Sequence, residues 1–308
     1  MIVLFLYAKS SLSREQLDVK MDIGCDGVEI QLLSELVNGK LGCYLKADSV
    51  LDLDSFKDYP IKVIHCPLLY HYGLSDVNIE SFARRDFDLL DQVCYIANYF
   101  GRVQSGNKIL VVIHSEMNLE NMRVNGLLED ILKSVSYVLF KYPFIELAIE
   151  NVTPLRKVYL NEIHLCNNFS FDNVELVKYL REELGTNRIG TCLDTCHSMI
   201  SRKYMEAIHK EIGDIECPDY SLESYFDKNK EYVKLIHLSD AQGSGYGTGR
   251  HGVKFNDKNI NKLRGIIDLY NRYNYSCPVT LEVNETDYSI CNCYKETRDA
   301  LAKVLSEY

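Results

Sequence analysis

Short apolar runs recur along this chain, and six of them stop at a residue able to bind a metal. Ile61 to Ile64 meets His65, Ile109 to Ile113 meets His114, and Phe144 to Ile149, broken only by Glu146, meets Glu150. Ile189 to Leu193 leads into Asp194, Val233 to Ile236 meets His237, and Pro278 to Leu281 meets Glu282. Val3 to Tyr7 and Asp26 to Leu32 add two more runs, the latter with Val28 and Ile30 facing one way. Runs of this length predict strands, and the continuously apolar ones predict strands buried on both faces, as in a parallel sheet.

Amphipathic stretches alternate with these runs. Arg14 to Met21 predicts a helix, and a polar stretch from Asn38 to Tyr59 precedes the third strand. Ile79 to Phe100 carries Phe82, Phe87, Leu90, Val93, Cys94 and Ala97 at helical spacing and stops at Gly101. Leu119 to Tyr142, Asn173 to Leu184 before Gly185, Ser198 to Ile212, Asn259 to Tyr273 and Cys293 to Leu305 continue the alternation. Eight βα units in 308 residues predict an α/β fold, a (β/α)8 TIM barrel occupying residues 1 to 308 as a single domain. An open doubly wound sheet is the competing architecture. It draws its ligand site from the switch point of the sheet rather than from six strand ends.

Barrels of this kind place their chemistry at the C-terminal ends of the strands, so the six terminal residues are expected to converge. Charged groups are rarely buried without partners, and a shared metal is the expected partner. Glu150, Asp194, His237 and Glu282 form a mixed oxygen and nitrogen set suited to Mn²⁺, Zn²⁺, Co²⁺ or Mg²⁺. His65 and His114, on the two preceding strands, could hold a second ion with Glu150 bridging. In Cys192-Leu193-Asp194-Thr195-Cys196-His197, Asp194 leaves the strand and His197 follows one helical turn on, so both can face the mouth. Cys192 and Cys196 are expected to be small packing residues, because thiolates beside hard carboxylates make an unusual ligand mixture. His71, His164 and His209 have no such placement.

After His237 a glycine-rich stretch reaches Gly249-Arg250-His251-Gly252. Its glycines permit close approach to a ligand, and Arg250 and His251 are suited to a phosphate or carboxylate. Tyr7 and Tyr70, taken to lie just past strand ends, are candidates to line the pocket.

Composition narrows the classes. A net charge of -10 weighs against a broad basic surface for nucleic acid, though not against a local groove. The apolar start, Met1 to Ala8, is too short to span a bilayer and lacks basic residues, so no membrane partner is expected. Eleven scattered cysteines fit a reducing, cytoplasmic location better than a disulfide scaffold.

Taken together, Asp26-Gly27-Val28-Glu29-Ile30, Ile64-His65-Cys66-Pro67, Val112-Ile113-His114, Ile149-Glu150-Asn151, Leu193 to His197, Ile236 to Asp240 and Leu281-Glu282 resemble the xylose isomerase-like TIM-barrel superfamily. The likeness runs over nearly the whole chain. It implies a divalent-metal enzyme with one to three ions and two competing activities. In the sugar isomerase and epimerase branch, Glu150, Asp194, His237 and Glu282 bind one ion. Glu150 and Glu282 then pass a proton through a metal-stabilised enediolate of a sugar or sugar phosphate, while His197 and Arg250 position the substrate. In the endonuclease IV branch the substrate is abasic DNA. There His65, His114 and Glu150 take one zinc, the quartet a second, and His197 and His251 a third. That third ion also needs an Asp two residues before the last His, where this chain has Gly249. The sugar enzyme is the expectation, the phosphodiesterase its alternative. A homo-oligomer is compatible with either, and a barrel that binds without turnover is the third possibility.

Overall fold

The computed structural model describes residues 4–37, 44–67, 78–152, 170–212, 219, 221–242 and 250–308. The first half comprises β1 (Leu6–Ser10), α1 (Arg14–Ile23), β2 (Gly27–Gln31), α2 (Ala47–Val50), a 3-10 turn (Leu53–Phe56), β3 (Ile61–His65), α3 (Ile79–Phe82), α4 (Phe87–Val103), β4 (Ile109–Ser115), α5 (Leu119–Val124), α6 (Leu128–Lys141) and β5 (Ile145–Asn151). The second comprises α7 (Ser170–Leu184), β6 (Ile189–Asp194), α8 (Thr195–Ile212), α9 (Leu222–Asn229), β7 (Val233–Leu238), β8 (Asp240–Gln242), β9 (Arg250–Val253), α10 (Ile260–Arg272), β10 (Val279–Leu281) and α11 (Asn292–Leu305). Eight parallel strands close on themselves in the order β1-β10-β7-β6-β5-β4-β3-β2, with β8 and β9 paired apart as an antiparallel ribbon. The fold is the expected (β/α)8 barrel, and among the described residues no helix is long and apolar enough to cross a membrane.

Two apolar layers follow from strand alternation. Outward residues such as Val28, Ile30, Ile64, Val111, Ile149, Leu193 and Ile236 pack with Leu90, Val93, Val135, Val177 and Leu263 of the helices. Inward residues Val63, Leu110, Val112, Ala148, Cys192 and Leu235 fill the middle of the barrel, with Tyr7 against them.

Several elements differ from the sequence pattern, each for a local reason. Apolarity marks Val3 to Tyr7 as buried chain, but pairing of Leu6 with Val279 and Lys9 with Glu29 sets β1 three residues later. Tyr7 therefore lies inside the strand, towards the floor of the barrel rather than its mouth. The helix expected over Ile79 to Phe100 is broken at Asp86, a buried residue that accepts from the Tyr44 hydroxyl and the Arg85 guanidinium. The one expected over Leu119 to Tyr142 breaks at Gly126, whose φ of +65° suits glycine. Helix α9, started by the Ser221 hydroxyl accepting from the Ser224 amide, and the β8–β9 ribbon were not expected.

Arg188, just before β6, locks this region. Its guanidinium donates to the carbonyls of Leu139 (2.7 Å), Tyr142 (2.6 Å) and Ile145 (2.8 Å), joining the end of α6 to the start of β5. Arg188→Met strands those carbonyls and is expected to cost about 2–3 kcal/mol in urea unfolding. A loss below about 0.5 kcal/mol would show that water replaces the clamp.

Candidate metal centre

Strand register brings the site together. His114 lies beside Glu150 on β4 and β5, Asp194 beside His237 on β6 and β7, and Glu282 follows β10 directly, its amide donated to the Leu238 carbonyl. All six strand-end residues named from the sequence converge at the C-terminal mouth. Glu150, His65, Asp194 and His237 are buried, while His114 and Glu282 keep a little exposure.

Glu150 is the hub. One of its oxygens, Oε2, lies 3.0 Å from His65 Nε2 and 3.4 Å from His114 Nε2; the other, Oε1, lies 3.3 Å from His237 Nδ1 and 3.4 Å from His197 Nδ1. His237 Nδ1 stands 2.6 Å from Glu282 Oε2. Despite this closeness, Glu150 Oε1, His237 Nδ1 and Glu282 Oε2 are buried with no hydrogen bond. Buried polar atoms are ordinarily partnered, so three atoms without a hydrogen bond, gathered around His237 Nδ1, mark a place for a cation. Ligands about 2.0–2.2 Å from one ion stand roughly 2.8–3.6 Å apart, and the 3.3 Å separation falls within that range. One ligand atom from each of Glu150, Asp194, His237 and Glu282 lies within 4.8 Å of the others, and the same holds for His65, His114 and Glu150. The donor set fits a divalent ion, with a second triad beside it.

Three of the imidazoles are held through a ring nitrogen. His237 donates from Nε2 to Glu29 Oε2 at 3.0 Å, His65 from Nδ1 to the Cys66 carbonyl at 2.8 Å, and His197 from Nδ1 to the Asn151 carbonyl at 2.8 Å. Such bonds fix the tautomer and leave a lone pair for the site. Asn151 also accepts the Asp194 amide and donates to its carbonyl, so the turn into α8 is pinned. His197 keeps Nε2 for a group beyond the quartet. The centroid of the exposed His251 ring lies 5.7 Å from that of the His197 ring. Arg250 begins β9, its side chain outside the described residues, as are Gly249, Tyr70, His71, His164 and the His209 side chain.

Burial pushes every carboxyl group here upward, and neighbours decide the outcome. For Glu150, His237 and His114 outweigh burial and hold its pKa well below the usual range; for Glu282, Lys9 and His237 do the same. Asp194 is raised to about 6, chiefly by burial. His197, though buried, is raised to about 9 by Asp194 and Glu150. Burial followed by Lys9 lowers His65. Burial raises the Cys192 thiol, whose sulfur also lies within 4.8 Å of ligand atoms of Glu150 and His237.

Two site residues escaped the sequence reading. Glu29, fully buried on β2, holds His237, and Lys9 of β1 places its ammonium 2.5 Å from Glu282 Oε1 and 3.6 Å from Glu29 Oε1. A signal for Glu29 was present: it alternates with Val28 and Ile30 and so faces the barrel interior. Lys9 carried none, because the apolar run ends before it.

The sequence profile of the xylose isomerase-like TIM barrel matches residues 21–305. The chain belongs to that family. Among solved structures it is similar to a D-tagatose 3-epimerase-like protein (14% identity, TM-score 0.60, covering 99% of each chain). It is also similar to D-allulose 3-epimerase from Methylomonas sp. in complex with D-allulose (12%, 0.60, 99% of this chain and 97% of that one). A third is the IolI protein with a binding zinc atom (14%, 0.54, 99% and 97%). No curated protein matches the sequence.

Glu29→Gln preserves volume but removes the negative acceptor that orients His237. Its expected effect is a 10- to 100-fold weaker affinity for Mn²⁺ or Zn²⁺ by calorimetric titration, with the thermal unfolding midpoint little changed. Unaltered affinity would mean that Glu29 does not support the centre.

Proposed function

We propose that this family member is a divalent-metal-dependent isomerase or epimerase of a sugar or sugar phosphate. The observation that carries the reading is the pair of carboxylates, Glu150 and Glu282, on either side of His237 Nδ1. Their strands are separated by β6 and β7, so the two groups approach a bound substrate from different sides. Support also comes from the fold shared with proteins described as sugar epimerases.

Glu150, Asp194, His237 and Glu282 would hold the ion, and the zinc atom bound in the similar IolI protein supports a metal here. When bound, the ion supplies polarisation of a carbonyl, which makes the adjacent C–H acidic. One of Glu150 and Glu282 takes that proton and the other returns one to the opposite face, which inverts the carbon in epimerisation; in aldose–ketose interchange a single carboxylate carries the proton between adjacent carbons. Lys9 keeps Glu282 ionised and oriented by occupying its second oxygen. His197, through Nε2, with Arg250 and His251, contacts the substrate's hydroxyl or phosphate oxygens. Free thiols at Cys66 and Cys192 accord with a cytoplasmic setting.

A second reading rests on His65 and His114, both within 3.4 Å of Glu150 Oε2. That arrangement also suits a two-ion or three-ion phosphodiesterase acting at abasic sites. Metal content separates the two. About one ion per chain is expected after purification without chelator, and near three zinc per chain together with cleavage of an abasic duplex would sink the sugar enzyme.

With a panel of free and phosphorylated ketoses in D₂O, the wild type should incorporate deuterium at carbon, seen by NMR. Glu150→Gln and Glu282→Gln should each slow this by about 10²- to 10⁴-fold, and chelator should abolish it. Full activity in Glu282→Gln would discard the mechanism. Lys9→Met should lower kcat by about 10-fold or more with KM and metal content nearly unchanged, since it meets Glu282 through Oε1 and leaves Oε2, the oxygen beside His237, to the ion. A loss of metal in step with kcat would instead make Lys9 a structural support of the centre.

A further inference from the structure

The opposite end of the barrel is built unlike an ordinary barrel interior. Such layers are normally filled by branched apolar side chains. Here a cavity of about 380 Å³ at the strand N-termini is lined by Lys62, Lys108, Lys230, Lys234 and Glu146, with Tyr7 against it. That volume lies within the range of small-molecule pockets, about 300–1,000 Å³.

Lys62 and Lys234 reach the floor by the same device. Ile61 pairs with Val28 and Val63 with Glu29, so Lys62 has no match across the ladder. Val233 pairs with Thr191 and Leu235 with Cys192, so Lys234 has none either. A register slip of this kind re-aims a side chain, here into the barrel. Beside each lysine the neighbouring strand has a glycine. A Cβ on Gly27 would stand 2.6 Å from Lys62 Cγ, and one on Gly190 would stand 2.6 Å from Lys234 Cγ. The absent side chains are the space through which the two stems pass. Two slips and two glycines thus bring two cations to one floor.

The charges do not balance. Lys108 and Lys234 share Glu146, at 3.2 and 2.6 Å, and Lys230 pairs with Asp227 at 3.0 Å. Lys62 has no ion pair among the described residues. Four ammonium groups therefore face two carboxylates, an excess of two positive charges in a chain whose net charge is -10. Lys108 and Lys230 are about half exposed, at 45% and 48%, while Lys62 and Lys234 are drawn further in, and like charges at such a partly enclosed floor favour a counter-ion. We infer that the barrel floor binds a phosphate-class dianion, either free phosphate or the phosphate group of a small ester, at a site separate from the mouth. Lysine ammonium groups suit it as point-charge donors to several oxygens.

Calorimetric titration of the metal-loaded protein with inorganic phosphate, and separately with glycerol 3-phosphate, at constant ionic strength tests this. Saturable binding of one anion per chain is expected for at least one probe. It should weaken at least 10-fold in Lys62→Met, which keeps the apolar stem over Gly27, and in Lys108→Met, while Lys9→Met at the mouth leaves it unchanged. The preferred probe distinguishes free anion from ester. Thermal unfolding checks that each variant is folded. Absence of saturable binding by both probes, or binding that Lys62→Met and Lys108→Met leave intact, overturns the site and reduces the floor to an ion-pair plug.

Discussion

Four carboxylates, Glu29, Glu150, Asp194 and Glu282, share one enclosed barrel mouth, and the rest of the site answers that constraint. Two unit charges about 4 Å apart interact by about 4 kcal/mol at an effective dielectric of 20, so a cluster of this kind does not assemble unneutralised. Lys9 and the imidazoles supply the compensation. His237 is driven well above its usual pKa, against burial, by Cys192 and then by the carboxylates Glu29, Glu150 and Glu282. In the absence of an ion, protons on His237 and His197 carry the positive charge. A divalent cation held by the quartet, as proposed, would take over that task by displacing protons, which would tie metal affinity to folding of the barrel mouth.

The orienting contacts run outward from the same cluster. Glu29 holds His237, the Cys66 carbonyl holds His65, and the Asn151 carbonyl holds His197. None of these acceptors is itself at the end of an apolar run followed by a ligand. They are supplied from across the barrel for His237, from the adjoining strand for His197 and by the residue next in chain for His65, so the barrel's closure and the tautomers of its histidines are set together. The two ends of the barrel differ in sign. Carboxylates crowd the mouth and ammonium groups crowd the floor, with the apolar layer of Val63, Val112, Ala148 and Leu235 insulating one from the other.

Much of this was legible in the chain. The period of apolar runs and amphipathic stretches is a local property, and it predicted the barrel with most of its strands within a few residues. The six strand-end ligand candidates followed from one rule, that charge directly after a buried run needs a partner. Helix interruptions at Asp86 and Gly126 were less visible, because Asp86 turns back to Tyr44, which is remote in sequence. The first strand was misplaced because hydrophobicity reports burial whereas a strand's limits are set by its ladder partners, and this hid Lys9.

Sequence alone determined the barrel and the convergence of Glu150, Asp194, His237 and Glu282, since a period-two strand in a closed parallel barrel leaves its last inward residue only one direction to point. Tertiary structure decided the register between strands. That register alone sets Lys9 beside Glu29 and Glu282, and it turns Lys62 and Lys234 inward over Gly27 and Gly190. Register depends on hydrogen bonds between segments far apart in the chain, and no local pattern of apolar and polar residues encodes it.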